Sequence, residues 1–269
     1  MTESLGAWTN APLAYVLAEV RTEQVSDLSE YKAKLSAAFR SEYPIQRTLH
    51  SAKFVATSTG LQHVEPDQES AWEFATPDNH TAIIIRPHGL VLHATKYNDS
   101  VEFLRRLYSA VDVVTKEIPA IYVNRLGLRY VDFIIPHIGE QPEDYIDRRL
   151  NPVVPIVETT GTPRAMSLAV YPVTNGALTL RYVRGRGQPE LPPDLATFAL
   201  EKSPLMKKEG LAPDQPTAIL DTDRVREFGK REPLDSAMVR REFTSMRGDI
   251  SNAFRSLITE HARKMWGAK

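Results

Sequence analysis

RLGLRYVDFI, residues 125–134, is an apolar run interrupted by two arginines and one aspartate. In a β-strand successive side chains point to opposite faces, so Arg125, Gly127 and Arg129 would share one face. The two leucines fall on the other face, which we expect to pack on the core. The stretch therefore predicts a central strand that carries two arginines on a single face.

Two interpretations of this arginine pair are open. Gly127 has no side chain, so a flat ring, a second backbone or an anion can approach between the two guanidiniums. Each guanidinium can hold a carboxylate or a phosphate with two hydrogen bonds, which would make a site for an anion or a nucleic acid. In the second interpretation, Arg125 or Arg129 forms an internal salt bridge with an aspartate on an adjacent strand.

The aspartates for such a bridge lie in ILDTD, where Asp221 and Asp223 share one face of a predicted strand. Two carboxylates can also hold Mg²⁺, as in a metal-dependent phosphoesterase, but a two-metal centre needs further carboxylates that the sequence does not supply at a strand end. We favour the salt bridges, because they explain both charge pairs together. The candidate binding residues are Arg125, Gly127, Arg129, Asp221 and Asp223.

No motif completes an active site. The chain lacks glycine-rich phosphate loops, the G-x-S-x-G elbow, the H-E-x-x-H zinc motif and the EF-hand loop. His88 and His93 flank one predicted turn and could meet there, but a single pair without a carboxylate seldom binds a metal. We therefore expect no catalytic residue, metal or cofactor, and favour a non-enzymatic role over an enzymatic one.

The composition is that of an ordinary globular protein. Of 269 residues, 42% are hydrophobic and 25% charged, and the net charge of −1 provides no overall attraction to nucleic acid. The absence of cysteine rules out disulfides and is typical of a reducing compartment. Because we expect neither a signal peptide nor a membrane span, we predict a cytoplasmic protein.

The segments around the central strand predict an α+β fold with a mostly antiparallel sheet and packed helices. Residues 12–21 form an apolar strand, and period-two runs between residues 52 and 97 predict a meander. Apolar residues spaced by three and four predict helices over 26–44 and 98–119. Strands gathered with helices between and after them favour α+β over strict βαβ alternation.

The chain divides into an N-terminal half, 1–136, a junction rich in proline and glycine, 137–163, and a C-terminal half, 164–269. In the last part, Asn175-Gly176 between two apolar runs predicts a β-hairpin. A strand over 217–228 and one long helix from Asp235 to about Lys264 complete the prediction.

Four segments, APLAYVLAEVR, RLGLRY, ILDTD and FRSLITEHARKMW, form a familiar combination. They resemble a sporadically distributed, mostly uncharacterised family of bacterial proteins of about this length. In that family a strand of proline and apolar residues opens the chain, and an R-x-G-x-R-Y strand lies in the middle. The resemblance covers nearly the whole chain and implies no catalytic residues, and its scattered occurrence is typical of genes for phage defence or toxin neutralisation.

Two functional hypotheses follow. A full-sized fold without a complete set of active-site residues favours a protein that binds a protein partner, as a component of phage defence or toxin neutralisation. Self-association into a homo-oligomer is open as well. The alternative is an anion or nucleic-acid binder, or a metal-dependent phosphoesterase, that uses the arginines and aspartates; aromatic residues interleaved with basic ones, as in RYVRGRG, give it thin support.

Overall fold

The structure, a computed structural model, describes residues 8–49, 53–57, 60–64, 71–150, 164–195, 200–207 and 209–267. The strands are β1 (Leu13–Thr22), β2 (Ile45–Leu49), β3 (Lys53–Thr57), β4 (Gly60–Val64), β5 (Ala71–Ala75), β6 (Thr81–Arg86), β7 (Gly89–Ala94), β8 (Tyr122–Ile134), β9 (Ala165–Val173), β10 (Gly176–Arg186) and β11 (Pro216–Pro233). The helices are α1 (Lys32–Phe39), α2 (Ser100–Glu117), α3 (Pro142–Tyr145), α4 (Ser236–Leu257) and α5 (Glu260–Met265). Short 3₁₀ turns lie at Leu28–Tyr31, Arg148–Leu150 and Pro204–Lys207.

Nine of the described strands form one sheet in the order β2-β5-β6-β7-β1-β8-β11-β10-β9, with antiparallel pairing throughout. β3 and β4 pair with each other in a separate two-stranded sheet. Strand β8 precedes the predicted junction and β11 follows it, and the two strands are hydrogen-bonded to each other. Both predicted halves therefore contribute to the same sheet. Residues 151–163 of the junction lie outside the described ranges.

One face of the sheet is covered by helices. Leu126 and Leu128 of β8 are fully buried there, together with Leu107 of α2 and Phe243 of α4. These apolar residues recur on one side of each helix, which is why both helices lie flat on the sheet. The leucine face of RLGLRYVDFI thus packs on the core as predicted.

Both long helices begin at an aspartate that caps the first turn. The Asp99 carboxylate accepts a hydrogen bond from the Glu102 N–H at 2.7 Å, and Asp235 accepts one from the Met238 N–H at 2.9 Å. Each bond satisfies a backbone donor that has no partner within the helix. The helix predicted over 98–119 is confirmed as α2.

We call the opposite side of the sheet the arginine face, because Arg125 and Arg129 point there. The segment between β10 and β11 covers part of this face. Its Leu195 packs against Tyr15 of β1 and against Val131 and Phe133 of β8. Strand β8 is therefore buried on both faces over most of its length, which explains its apolar sequence.

The predicted fold class, α+β with a mostly antiparallel sheet and a long C-terminal helix, is confirmed. The predicted hairpin is also present, because β9 and β10 pair across a turn that contains Asn175 at a φ of 59°. A Cβ atom at Gly176 would run into the carbonyl oxygen of Val225, so this turn requires glycine at that position.

The prediction of one uninterrupted helix from Asp235 to about Lys264 is wrong at its end. α4 stops at Leu257, and Ile258 is extended and forms a bridge with Ile146. The Thr259 hydroxyl then accepts a hydrogen bond from the Ala262 N–H at 3.1 Å and starts α5. Because buried residues continue across the break, the periodicity of the sequence did not reveal it.

The helix predicted over 26–44 is shorter than expected. A 3₁₀ turn at Leu28–Tyr31 leads into the eight-residue α1, and no side chain caps either start by a hydrogen bond. Leu28, Leu35 and Phe39 are nevertheless buried as their spacing predicts. Within the described ranges, no helix is long and apolar enough to cross a membrane.

Truncation of Phe243 tests whether α4 is held by the core. The side chain is fully buried between α4 and the sheet, so Phe243→Ala should lower the free energy of unfolding by about 3–5 kcal/mol. Urea denaturation followed by circular dichroism measures the change. Ser245→Ala on the exposed side of the same helix is the control and should leave stability unchanged; equal effects at both positions would contradict the packing.

Candidate functional site

Arg129 of β8 forms a two-pronged salt bridge with Asp221 of β11. Its Nε donates to Oδ1 and its Nη2 to Oδ2 of the aspartate, each at 2.8 Å. The antiparallel register places Asp223 directly opposite Arg129 and Asp221 opposite Val131, so the guanidinium reaches diagonally across the ladder. Both side chains are buried. The predicted contact between an arginine of β8 and an aspartate of ILDTD is therefore confirmed.

Two further residues complete this cluster. Nη1 of Arg129 donates to Oδ2 of Asp194 at 2.5 Å, and Nη1 of Arg181 on β10 donates to Oδ2 of Asp221 at 3.0 Å. Burial by itself disfavours the charged form of Arg129, but the hydrogen bonds to the two aspartates outweigh it and raise its pKa. The bond from Arg129 lowers the pKa of Asp194. Both shifts favour the charged forms of Arg129 and Asp194 near neutral pH.

Asp223, the second aspartate of ILDTD, behaves differently. Among the described residues it has no salt bridge within 4 Å, although it lies directly opposite Arg129 in the ladder. Burial raises the pKa of Asp223; the positive charge of Arg129 opposes this shift and the negative charge of Asp221 adds to it. The two aspartates, which are equivalent in the sequence pattern, therefore differ in the structure: Asp221 is bonded to Arg129 and Asp223 is not.

Arg125 belongs to a second cluster, which is centred on Glu19 of β1. Nη1 of Arg125 donates to Oε2 of Glu19 at 3.2 Å, and its Nε lies 3.4 Å from Oε1 of Glu227. Arg86 at the end of β6 also donates to Glu19. Arg125 thus has acidic partners, but neither is one of the two aspartates that the sequence suggested.

The space beside Gly127 holds the side chain of Glu19. The register places Glu19 opposite Gly127, and a Cβ atom at Gly127 would lie 3.6 Å from Cβ and 3.7 Å from Oε2 of Glu19. An anion does occupy the gap between the two arginines, as the first interpretation required. It is a carboxylate of the chain itself, so an external anion would have to displace it.

The histidine pair does not form a site. His93 is fully buried, and its Nδ1 lies 3.0 Å from the hydroxyl of Tyr15, whereas His88 lies in the exposed turn before β7. Burial lowers the pKa of His93 to about 3, so the ring is neutral. In the described part of the chain, no group of three or more His, Asp or Glu residues is arranged to hold a metal ion.

Sequence reasoning missed Glu19, Asp194 and Arg181. The alternation of β1 does place Glu19 on the same face as Tyr15, so an acidic residue on a buried strand was a usable signal. The pairing of that residue with Arg125 follows only from the order of strands in the sheet. Asp194 lies in the irregular segment after β10, where no periodicity indicates which side chains turn inward.

Searches against family models, curated proteins and solved structures find no match to this chain. The resemblance to a sporadic bacterial family therefore stays a prediction, and the function has to be argued from the structure itself.

Removal of one partner from the central salt bridge should be more damaging than removal of both. Arg129→Met leaves the buried Asp221 with Arg181 alone and should cost about 3–5 kcal/mol of unfolding free energy. Adding Asp221→Leu removes the buried carboxylate that has lost its main partner, and should restore much of the lost stability. A double-mutant cycle by urea denaturation measures the coupling.

The matched control for this cycle is Arg231→Met, because the Arg231 side chain is largely exposed. It should leave stability unchanged. Additive effects of Arg129→Met and Asp221→Leu would show that the pair is not coupled as the distances imply.

Gly127→Ala tests whether the space beside residue 127 can hold a side chain. A Cβ atom there would make ordinary contacts with Glu19, and a strand gains about 0.5–1 kcal/mol when glycine becomes alanine. The variant should therefore be as stable as the wild type or more so, as measured by thermal unfolding. Gly176→Ala, which meets the Val225 carbonyl, should be clearly destabilised; a large loss at Gly127 would show that the space beside it is tighter than described.

Proposed function

We propose that this protein works by binding a partner protein along the free edge of strand β9. The supporting observation is that this edge strand combines unpaired backbone groups with exposed apolar side chains. Among the described residues β9 is hydrogen-bonded only to β10, so its other edge offers amide and carbonyl groups to an added strand.

The composition of β9 suits such an added strand. AMSLAVYPV contains no charged residue, whereas exposed edge strands usually carry charges that prevent pairing. Met166, Leu168 and Val170 point to the arginine face and are 69%, 58% and 59% exposed. An exposed apolar row of this kind favours a protein partner over a small anion.

The charge at one end of the strand specifies the partner further. A groove of about 610 Å³ runs between the start of β9 and the end of β10, and exposed Arg164 and Arg186 lie along it. Within the described ranges neither arginine has an acidic partner within 4 Å. The partner we propose is therefore an extended segment with apolar residues at alternate positions and an acidic residue near one end.

The alternative role as an anion binder or phosphoesterase has less support. Arg129 and Arg125 are already bonded to carboxylates of the chain, and an incoming phosphate would have to displace them. The setting in phage defence or toxin neutralisation, in a bacterial cytoplasm, rests on the family resemblance and the composition. It forms part of the proposal.

The test is affinity capture from the native host with three forms of the protein. Leu168→Lys/Val170→Lys places charges on the apolar row without disturbing buried groups, and should abolish recovery of the partner while the thermal midpoint is retained. Val101→Lys is the control, because Val101 is 72% exposed and lies on α2, on the helix-covered side of the sheet. It should bind like the wild type.

Equal recovery by the β9 variant and the wild type would contradict the proposal. Size-exclusion chromatography with light scattering addresses self-association in the same samples. A wild-type dimer that the β9 substitutions convert to a monomer would show that the edge pairs with a second copy, and so would contradict a separate partner.

A further inference from the structure

A small pocket lies on the helix-covered side of the sheet, opposite the arginine face. It has a volume of about 30 Å³ and lies where the start of β1, the end of β8, the first half of β11, and α4 meet. Its walls include Trp8, Tyr97, Tyr130, Asp132, Thr222 and Phe254. A space of this size exceeds the ~10–15 Å³ that one water molecule needs.

The pocket contains three polar groups without a hydrogen-bond partner among the described residues. Asp132 is only 5% exposed, and its carboxyl group has neither a hydrogen bond nor a salt bridge there. The Thr222 hydroxyl and the Trp8 indole N–H are buried and have no partner either. Because an unpaired polar group in a protein interior is costly, the two groups that can accept a hydrogen bond, the Asp132 carboxyl and the Thr222 hydroxyl, indicate a donor that enters this space.

The acid in the pocket contrasts with Asp221 and Glu19 on the arginine face, which are bonded to arginines. Burial, and to a lesser degree the charge of Asp221, raises the pKa of Asp132 to about 8. Burial raises the pKa of Tyr97 and of Tyr130, and the positive charge of Arg247 on α4 opposes that shift. The pocket therefore presents a carboxyl group that is protonated at neutral pH and that ionises readily when a cation arrives.

Four aromatic rings line the pocket beside aliphatic side chains. The Trp8 and Phe254 rings lie 5.8 Å apart, and the Tyr97 and Tyr130 rings 5.9 Å apart. Aromatic faces attract cations, and rings gathered around a carboxylate form the kind of site that binds organic ammonium groups. Strand β1 is bulged between Leu13 and Tyr15, beside Asp132, which leaves the sheet irregular at this point.

We propose that this pocket binds the protonated amino group of a small organic ligand, with Asp132 as its counter-ion and the aromatic rings as its walls. The ammonium N–H groups donate to the Asp132 carboxylate and to the Thr222 oxygen. The half-exposed residues Ala11, Leu13 and Tyr97 mark the side from which the rest of the ligand would extend. The site is independent of β9 and adds a small-molecule ligand to the proposed binding of a protein.

Methylammonium is the probe, and the indole N–H signal of Trp8 in ¹H–¹⁵N correlation spectra is the readout, assigned with Trp8→Phe. At pH 9, where Asp132 is ionised and a primary amine is still protonated, methylammonium should shift this signal saturably at constant ionic strength. The signal of Trp72, in the main core, should not move. Methanol, which matches the probe in size but lacks its charge, should cause no saturable shift.

Asp132→Asn keeps the shape of the protonated acid and should weaken methylammonium binding at least tenfold. Asp147→Asn, at a carboxyl group that pairs with Arg149 away from the pocket, is the matched control and should bind like the wild type. No saturable shift in the wild type, equal shifts with methanol, or unchanged binding by Asp132→Asn would each overturn the proposal.

The pH profile of the wild type gives a readout that needs no variant. Below pH 8 the folded protein holds a proton on Asp132, and a cation must displace it, so apparent affinity should fall about tenfold for each pH unit below 8. Above pH 8 it should level off. An affinity that does not change between pH 6 and pH 9 would show that Asp132 is not the counter-ion.

Discussion

The antiparallel pairing of β8 with β11 joins the strands that precede residues 137–163 to those that follow them. Arg129 lies in the middle of this ladder, on a strand that is buried on both faces. An unpaired guanidinium at that position would carry a desolvation cost of several kcal/mol. The two-pronged bond to Asp221 offsets that cost only when the two strands adopt the observed register, so the charge pair specifies how the two halves of the sheet align.

Other ion pairs of the sheet have a comparable role. On the helix-covered face, Arg224 of β11 donates to Asp249 of α4 at 2.8 Å, and Arg226 donates to Glu242 at 3.2 Å. These bonds fix the position of α4 along β11. Arg125 and Arg129, which the sequence suggested as parts of a binding site, are likewise bonded to carboxylates of the chain.

The features that suit binding lie elsewhere and have the opposite character. The edge of β9 is apolar and exposed, and Asp132 is a buried acid without a basic partner among the described residues, whereas the buried acids Glu73 and Asp221 are paired with arginines. Exposed edge strands usually carry charges and buried acids are usually paired, so both features are exceptions. Such departures reduce stability and are typical of functional surfaces.

Much of the fold could be predicted from the sequence. Alternation identified β1, β8 and β11, and the turn residues identified the hairpin at Asn175-Gly176, because these signals are local. The end of α4 was missed, since the apolar stripe continues through Ile258 while Thr259 starts a new helix.

The candidate site was only partly predictable. The bond between Arg129 and Asp221 was expected from charge and strand pairing. The bond between Arg125 and Glu19 was not, because it depends on β1 lying next to β8, which no local pattern encodes. For the same reason the pocket around Asp132 was not seen, since its walls come from five distant segments.

The central claim is that the β8–β11 ladder makes one cooperative unit of both parts of the chain. Native-state hydrogen exchange in low concentrations of denaturant tests it most directly. The account predicts that the slowest amides of β1, β8 and β11 exchange through a single opening with the free energy of global unfolding. Exchange of β10 and β11 through a separate opening of lower free energy, while β1 and β8 stay protected, would contradict it.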